Sequence, residues 1–375
     1  MKESAGTYRR VWRVAAHVCR LVLGAVFIFS GFVKSVDPWG TALKVNEYLS
    51  IYGLDWLHPA AMVFSIWLCG AELMMGLMLT FKVRIRLISI FALLSMIFFT
   101  VLTFLSATWL PVEDCGCFGE AVKLSAWATF FKNLVLLPMA FVVWWRYRPD
   151  KIFAFSKREV FLTVLFFTIG MGVGTYCYRH LPLIDYLPYK IGVNIAEEMN
   201  RSEDSGVDDV VVVCRNMKTG EVREFDLHDA EWQDDAVWEW QETRTADDER
   251  TVRVEAIIDE FSVRDAEGDV TDLIINAEGR LYILCVTNFE RLDADCERRM
   301  GELIARAETE DANVVCFTPD YLDGVTYRSF NGSEAVRCFN IDATVMKTML
   351  RARNGLIVLD DGTITDKRNC RDIGR

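Results

Sequence analysis

The chain has 375 residues, 52% of them hydrophobic and 25% charged, with a formal net charge of −12. A mean hydropathy of +0.17 excludes an ordinary soluble protein, so the apolar and charged residues must be segregated along the chain. Through residue 185 there are 18 Lys/Arg against 11 Asp/Glu, and from residue 186 onward 23 against 42. A basic, apolar half thus precedes an acidic half, whose charge excludes nucleic acid as a partner.

Five apolar segments in the first half are long enough to span a membrane, at about 14–34, 60–81, 87–109, 125–145 and 159–178. Arg20 interrupts the first run, and four more spans follow it, so it does not read as a cleavable signal peptide. The N-terminus and the 2–3 and 4–5 loops hold 12 Lys/Arg, and the opposite loops hold 5. The positive-inside rule then predicts a cytoplasmic N-terminus and an extracytoplasmic C-terminal half in a bacterial inner membrane. Trp12, Trp144 and Trp145 mark the inner interface, and Trp56, Trp109 and Trp127 the outer one.

Arg20 and Glu72 lie at similar depth when counted from the inner ends of their spans, which predicts an intramembrane ion pair between them. Cys19 and Cys69, each alone on a helix, read as small apolar packers.

Between spans three and four runs Pro111-Val112-Glu113-Asp114-Cys115-Gly116-Cys117-Phe118-Gly119. Gly116 allows a turn tight enough to bring Cys115 and Cys117 together, as a disulfide requires. The same spacing also suits two unrelated thiols in a turn, or a soft-metal thiolate site beside Glu113 and Asp114. Lys34 and Lys132 are placed to reach this loop, and a nearby ammonium favours the reactive thiolate. The two acids oppose that effect.

Two sets of residues carry a family resemblance. One is Arg20-x3-Gly24-x6-Gly31-x2-Lys34 with Gly70-Ala71-Glu72-x3-Gly76. The other is Asp114-Cys115-Gly116-Cys117-Phe118-Gly119 followed by Trp127-x2-Phe130-x-Lys132-Asn133. Together they resemble the redox-associated MauE/DoxX membrane family. The resemblance implies a four-helix bundle over residues 1–150, and the fifth apolar span places a further helix at 151–181. It also implies an extracytoplasmic Cys115/Cys117 pair that supports oxidative maturation of a partner protein. A quinone in the bundle is suggested by analogy alone. The longer layout looks like a Bacteroidetes variety of this family.

Residues 182–207 read as a linker, and 208–255 as an acidic segment holding a β-hairpin at 210–214 and 222–225. From 256 the order turns α/β. Strands are expected at 261–263, 281–286, 314–318, 335–341, 355–359 and 363–365, and helices at 293–308 and 342–353. This order resembles a thioredoxin-like domain. The strand-to-helix junction at 287–293 lacks the CxxC, however, and Asn354-Gly355 stands where a cis-proline is expected.

Cys285, Cys316 and Cys338 read as core residues, and Cys296 as a cysteine without a sequence partner. Four scattered histidines indicate no His-based metal site. The expectation is a membrane thiol–disulfide protein whose soluble domain docks an extracytoplasmic protein. A non-catalytic scaffold and a soft-metal binder are the alternatives.

Overall fold

The computed structural model of the chain describes residues 2–109, 116–122, 124–147, 156–200, 210–217, 222–226, 237–245, 261–310 and 312–374. The chain divides into two compact units, Met1–Tyr186 and Leu187–Arg375.

The first unit is helical. It contains α1 (Lys2–Val36), α2 (Pro38–Ile51), α3 (Ala61–Phe81), α4 (Ile85–Thr108), α5 (Ala126–Arg146) and α6 (Lys157–Arg179). All but α2 belong to segments long and apolar enough to cross a membrane, five among the described residues. Between α1 and α2 the Asp37 carboxylate accepts from Gly40 N at 3.0 Å, and Pro38 takes the first helical position. The five-span reading has no counterpart of α2, although Asp37-Pro38 is a helix-start signal.

Small residues set the contact of α1 with α3. A Cβ on Gly31 would meet the backbone of Leu73 and Glu72, and one on Gly76 would meet Ile28. In the same way α3 meets α6 backbone to backbone at Gly70 and Gly170. Lipid supplies no hydrophobic drive between helices, so close approach of this kind is a main source of their association.

The second unit is α/β. Strands β1 (Val210–Asn216), β2 (Val222–Asp226) and β3 (Trp238–Thr245) form a three-stranded antiparallel sheet in the order β2-β1-β3. Trp238 covers it, edge-on to Phe225 at 4.7 Å.

The larger sheet is built from β4 (Val263–Asp265), β5 (Gly268–Asp269), β6 (Arg280–Val286), β7 (Asn313–Thr318), β8 (Thr326–Arg328), β9 (Val336–Ile341), β10 (Asn354–Asp360) and β11 (Thr363–Asn369). Its order is β11-β10-β6-β7-β9-β4-β5, with β8 paired to β9. Strands β6, β7 and β9 run parallel, and the β10–β11 hairpin is antiparallel. Asp361 and Gly362 make its turn, both at positive φ. A parallel β6–helix–β7 unit flanked by an antiparallel hairpin is the thioredoxin-like arrangement read from the sequence.

The helix Ala294–Thr309 turns Cys296, Met300, Leu303, Ile304 and Ala307 onto the sheet. That spacing is the apolar stripe of a 3.6-residue repeat.

Two readings need correction here. Residues 187–200 are not linker. Leu187, Tyr189 and Ile195 are buried in this unit, Gly192 N donates to Ile364 O at 2.7 Å, and Lys367 Nζ donates to Tyr189 O at 3.0 Å. Residues 201–207 of the expected linker lie outside the described residues. Cys296 also has a partner: it is disulfide-bonded to Cys370, 74 residues on, with Cα atoms 5.5 Å apart. Both cysteines are buried in the core below the helix. The bridge ties the start of that helix to the chain that follows β11.

Closing a loop of that size is worth about 2–4 kcal/mol. Cys370→Ser is therefore expected to lower the urea midpoint of the second unit, with a steeper transition because the unfolded chain is no longer cross-linked. An unchanged midpoint would mean that the bridge adds no stability.

Candidate functional site

Cys115, Glu113 and Asp114 lie outside the described residues. The described part of their loop begins at Gly116, and its geometry rests on two glycines. Gly116 (φ +62) and Gly119 (φ +54) both adopt left-handed backbone, and Gly119 N donates to Gly116 O at 3.0 Å. L side chains rarely take that conformation, so the turn that carries Cys117 depends on glycine at both ends. Gly119 packs on Val33 and Lys34 of α1, and the Phe118 ring stands edge-on to Phe29 at 5.3 Å.

Beneath the turn is a buried polar chain. Lys34 Nζ lies 2.5 Å from Glu72 Oε2, and both residues are 4% exposed. Ser30 Oγ lies 2.9 Å from the same carboxylate oxygen and 2.7 Å from the Cys117 carbonyl oxygen. A hydroxyl has one proton, so Ser30 donates to one of these acceptors at a time. Donating to the Cys117 carbonyl fastens the turn to α1, and donating to Glu72 joins Ser30 to the Lys34–Glu72 pair that links α1 and α3.

From α5, Lys132 Nζ sits 4.0 Å from the centroid of the Phe118 ring. This cation–π contact brings a positive charge to the residue next to Cys117. Asn133, one position on, donates to Phe99 O and Thr103 Oγ1 of α4, each at 3.3 Å. These side chains line a cavity of about 280 Å³, bounded by helices α1 to α5 and the turn at 116–119. Its walls are mainly apolar, and Cys117, Lys34, Glu72, Lys132 and Asn133 are among its polar lining residues, with Ser30, Asp37 and Lys44.

The expected ion pair of Arg20 with Glu72 is corrected. Arg20 Nη1 donates to the carbonyls of Leu79 and Thr80, the second at 2.6 Å. The reason is helix register. Gly24 lies against Thr80, Ile28 against Gly76 and Gly31 against Leu73. Arg20 is one turn beyond Gly24, so it reaches the end of α3, where carbonyls lack helical donors. Glu72 falls opposite the other end of α1, where Lys34 waits.

Sequence reasoning missed Ser30 and Phe118 as functional neighbours. A serine inside an apolar run, one turn before Lys34, was the available signal for Ser30. At the thioredoxin-like corner, Thr287 N donates to Asn354 Oδ1 at 3.0 Å and Thr287 Oγ1 to Arg353 O at 2.6 Å. Polar contacts hold together a corner that has no CxxC. Among the described residues no group of three or more His, Cys, Asp or Glu is arranged to hold a metal ion.

The family model described as methylamine utilisation protein MauE matches residues 12–146. Protein TlpB of Flavobacterium psychrophilum is 28% identical over 126 residues, covering 32% of this chain and 34% of that protein. The chain therefore matches about a third of the length of this curated relative. No solved structure matches.

Breaking a buried ion pair leaves an uncompensated charge, at a cost of about 3–5 kcal/mol. Glu72→Gln is expected to lower the thermal midpoint of the detergent-solubilised protein substantially. Glu72→Gln combined with Lys34→Met is expected to lower it less than Glu72→Gln alone. Additive losses in this cycle would show that the two side chains are not energetically coupled.

Proposed function

Because a MauE family model matches residues 12–146, we propose that the chain is a membrane thiol–disulfide exchange protein using Cys115 and Cys117. In this reading the pair faces the extracytoplasmic side and supports oxidative maturation of a partner protein there. A thiolate of the partner attacks the Cys115–Cys117 disulfide, giving a mixed disulfide and one free thiolate. The partner's second thiolate then resolves the mixed disulfide. The partner leaves oxidised, and the pair remains as a dithiol that has gained two electrons and two protons.

The observation that carries this reading is the support given to Cys117. Its carbonyl accepts from Ser30 Oγ at 2.7 Å, beside the Lys34–Glu72 pair, and the Lys132 ammonium lies over the adjacent Phe118. Cations near a thiol favour the thiolate, and a fixed turn keeps it in place for exchange. The second unit, without a CxxC at its corner, serves in this reading to dock the partner.

The test is trapping in cells. With only one of Cys115 and Cys117 replaced by Ser, a reductant-sensitive mixed disulfide with a partner protein is expected to accumulate. With both replaced, it is expected to vanish. A double variant that retains full function, with nothing trapped by either single variant, would remove the exchange role.

Orientation has its own check. Lys82→Cys, between α3 and α4, is expected to be labelled only from the cytoplasmic side. Tyr321→Cys, 89% exposed in the second unit, is expected to be labelled only from outside. The opposite pattern would invert the topology and place the soluble unit in the cytoplasm.

A further inference from the structure

The second unit holds a pair of thiols that exchange at Cys117 does not use. Cys316 on β7 and Cys338 on β9 are in-register partners on hydrogen-bonded parallel strands. Directly opposed residues of neighbouring strands point to the same face of a sheet. Both side chains enter the same core, with Met300 and Ile304 of the overlying helix, at 0% and 1% exposure. Neighbouring strands lie about 4.8 Å apart. That is inside the Cα range of about 4.4–6.8 Å found for disulfides.

The surroundings divide the two sulfurs into different roles. Burial holds the Cys316 thiol well above its ordinary pKa, while a hydrogen bond from Cys316 holds Cys338 below its own. The guanidinium of Arg328 also favours the thiolate at both positions. Arg328 belongs to β8, a strand of only three residues that pairs Thr326 with Cys338. A short edge strand opens at low cost, so opening of β8 frees the edge of β9 at Cys338 and loosens the core around that thiol.

We propose that Cys316 and Cys338 are a redox pair, oxidised to a cross-strand disulfide by exchange with a disulfide donor. The Cys338 thiolate attacks one sulfur of the donor, forming a mixed disulfide and expelling the other sulfur as a thiolate. Cys316 then attacks Cys338, and the second donor sulfur leaves. Two thiols of the protein become one disulfide, the donor becomes two thiols, and the two protons pass to the donor sulfurs.

Strand spacing also sets the character of the bond. Disulfides favour Cβ atoms about 3.8 Å apart, closer than an unperturbed strand pair places them. Such a bridge is strained, and strained bridges are the readily reduced, regulatory kind. Cys296–Cys370, with Cα atoms 5.5 Å apart, needs no such movement and acts as a permanent staple. The inference stands whether or not Cys115 and Cys117 exchange.

The test is thiol mapping of the full-length protein in detergent. The protein is held with oxidised glutathione in urea below its unfolding transition, alkylated, and digested without reductant. The expected result is a peptide pair joined through Cys316 and Cys338, with a loss of two alkylatable thiols that reductant restores. Cys296–Cys370 should remain joined throughout. In Cys316→Ala, glutathione is expected to stay on Cys338 because nothing resolves it. Complete alkylation of Cys316 and Cys338 in the parent after this treatment overturns the proposal. So does lasting glutathione on the parent's Cys338, or a bridge from either residue to a different cysteine.

Discussion

Lys34 and Glu72 meet at 2.5 Å between α1 and α3, both so deeply buried that either charge alone would be left uncompensated. Their pairing requires the two helices to stay close. Gly31 and Gly76 provide that closeness, because the opposing backbone occupies the space a side chain would need. The rest of the candidate site then follows from the position of the carboxylate. Glu72 receives Ser30, Ser30 reaches the Cys117 carbonyl, and Gly119 of the same turn settles onto Val33 and Lys34. A charge that cannot be left bare in lipid thereby becomes the anchor of a loop.

This dependence explains what the sequence made legible and what it did not. The five spans stand out because apolar length is written directly in composition, and the turn at 116–119 because glycine is demanded where φ is positive. Arg20, Lys34 and Glu72 are equally visible as charges needing partners. Their pairing is not, because it depends on the offset between antiparallel helices. Depth counted from the end of an apolar run misjudges that offset when a helix extends well past the run, as α1 does from Lys2. Close contacts between glycines and backbone fix the true register, and they are properties of the packed bundle.

The soluble unit shows the same division. Alternating and buried strands were readable from β-branched runs, and the Asp361-Gly362 turn from its residue types. The Cys296–Cys370 bridge was not, since cysteine connectivity across 74 residues depends on how the sheet brings β11 beside the helix that follows β6. Residues 187–200 looked like linker because they mix proline, glycine and polar groups. Their burial comes from contacts with residues 362–367, which are distant in sequence.

Five of the described cysteines fall into three distinct settings, and access separates them. Cys117 is half-buried on a turn fixed by polar contacts, in reach of a cavity and of a cation above Phe118. Cys296 and Cys370 are buried at an unstrained separation, so their bond resists exchange and holds the chain after β11 in place. Cys316 and Cys338 are buried just as deeply, yet the strand that borders Cys338 is short and largely exposed. Depth alone therefore does not decide reactivity. What decides it is the cost of opening the nearest cover, together with the distance over which two sulfurs must move to meet. On both counts the pair on β7 and β9 lies between the fixed staple and the exposed turn.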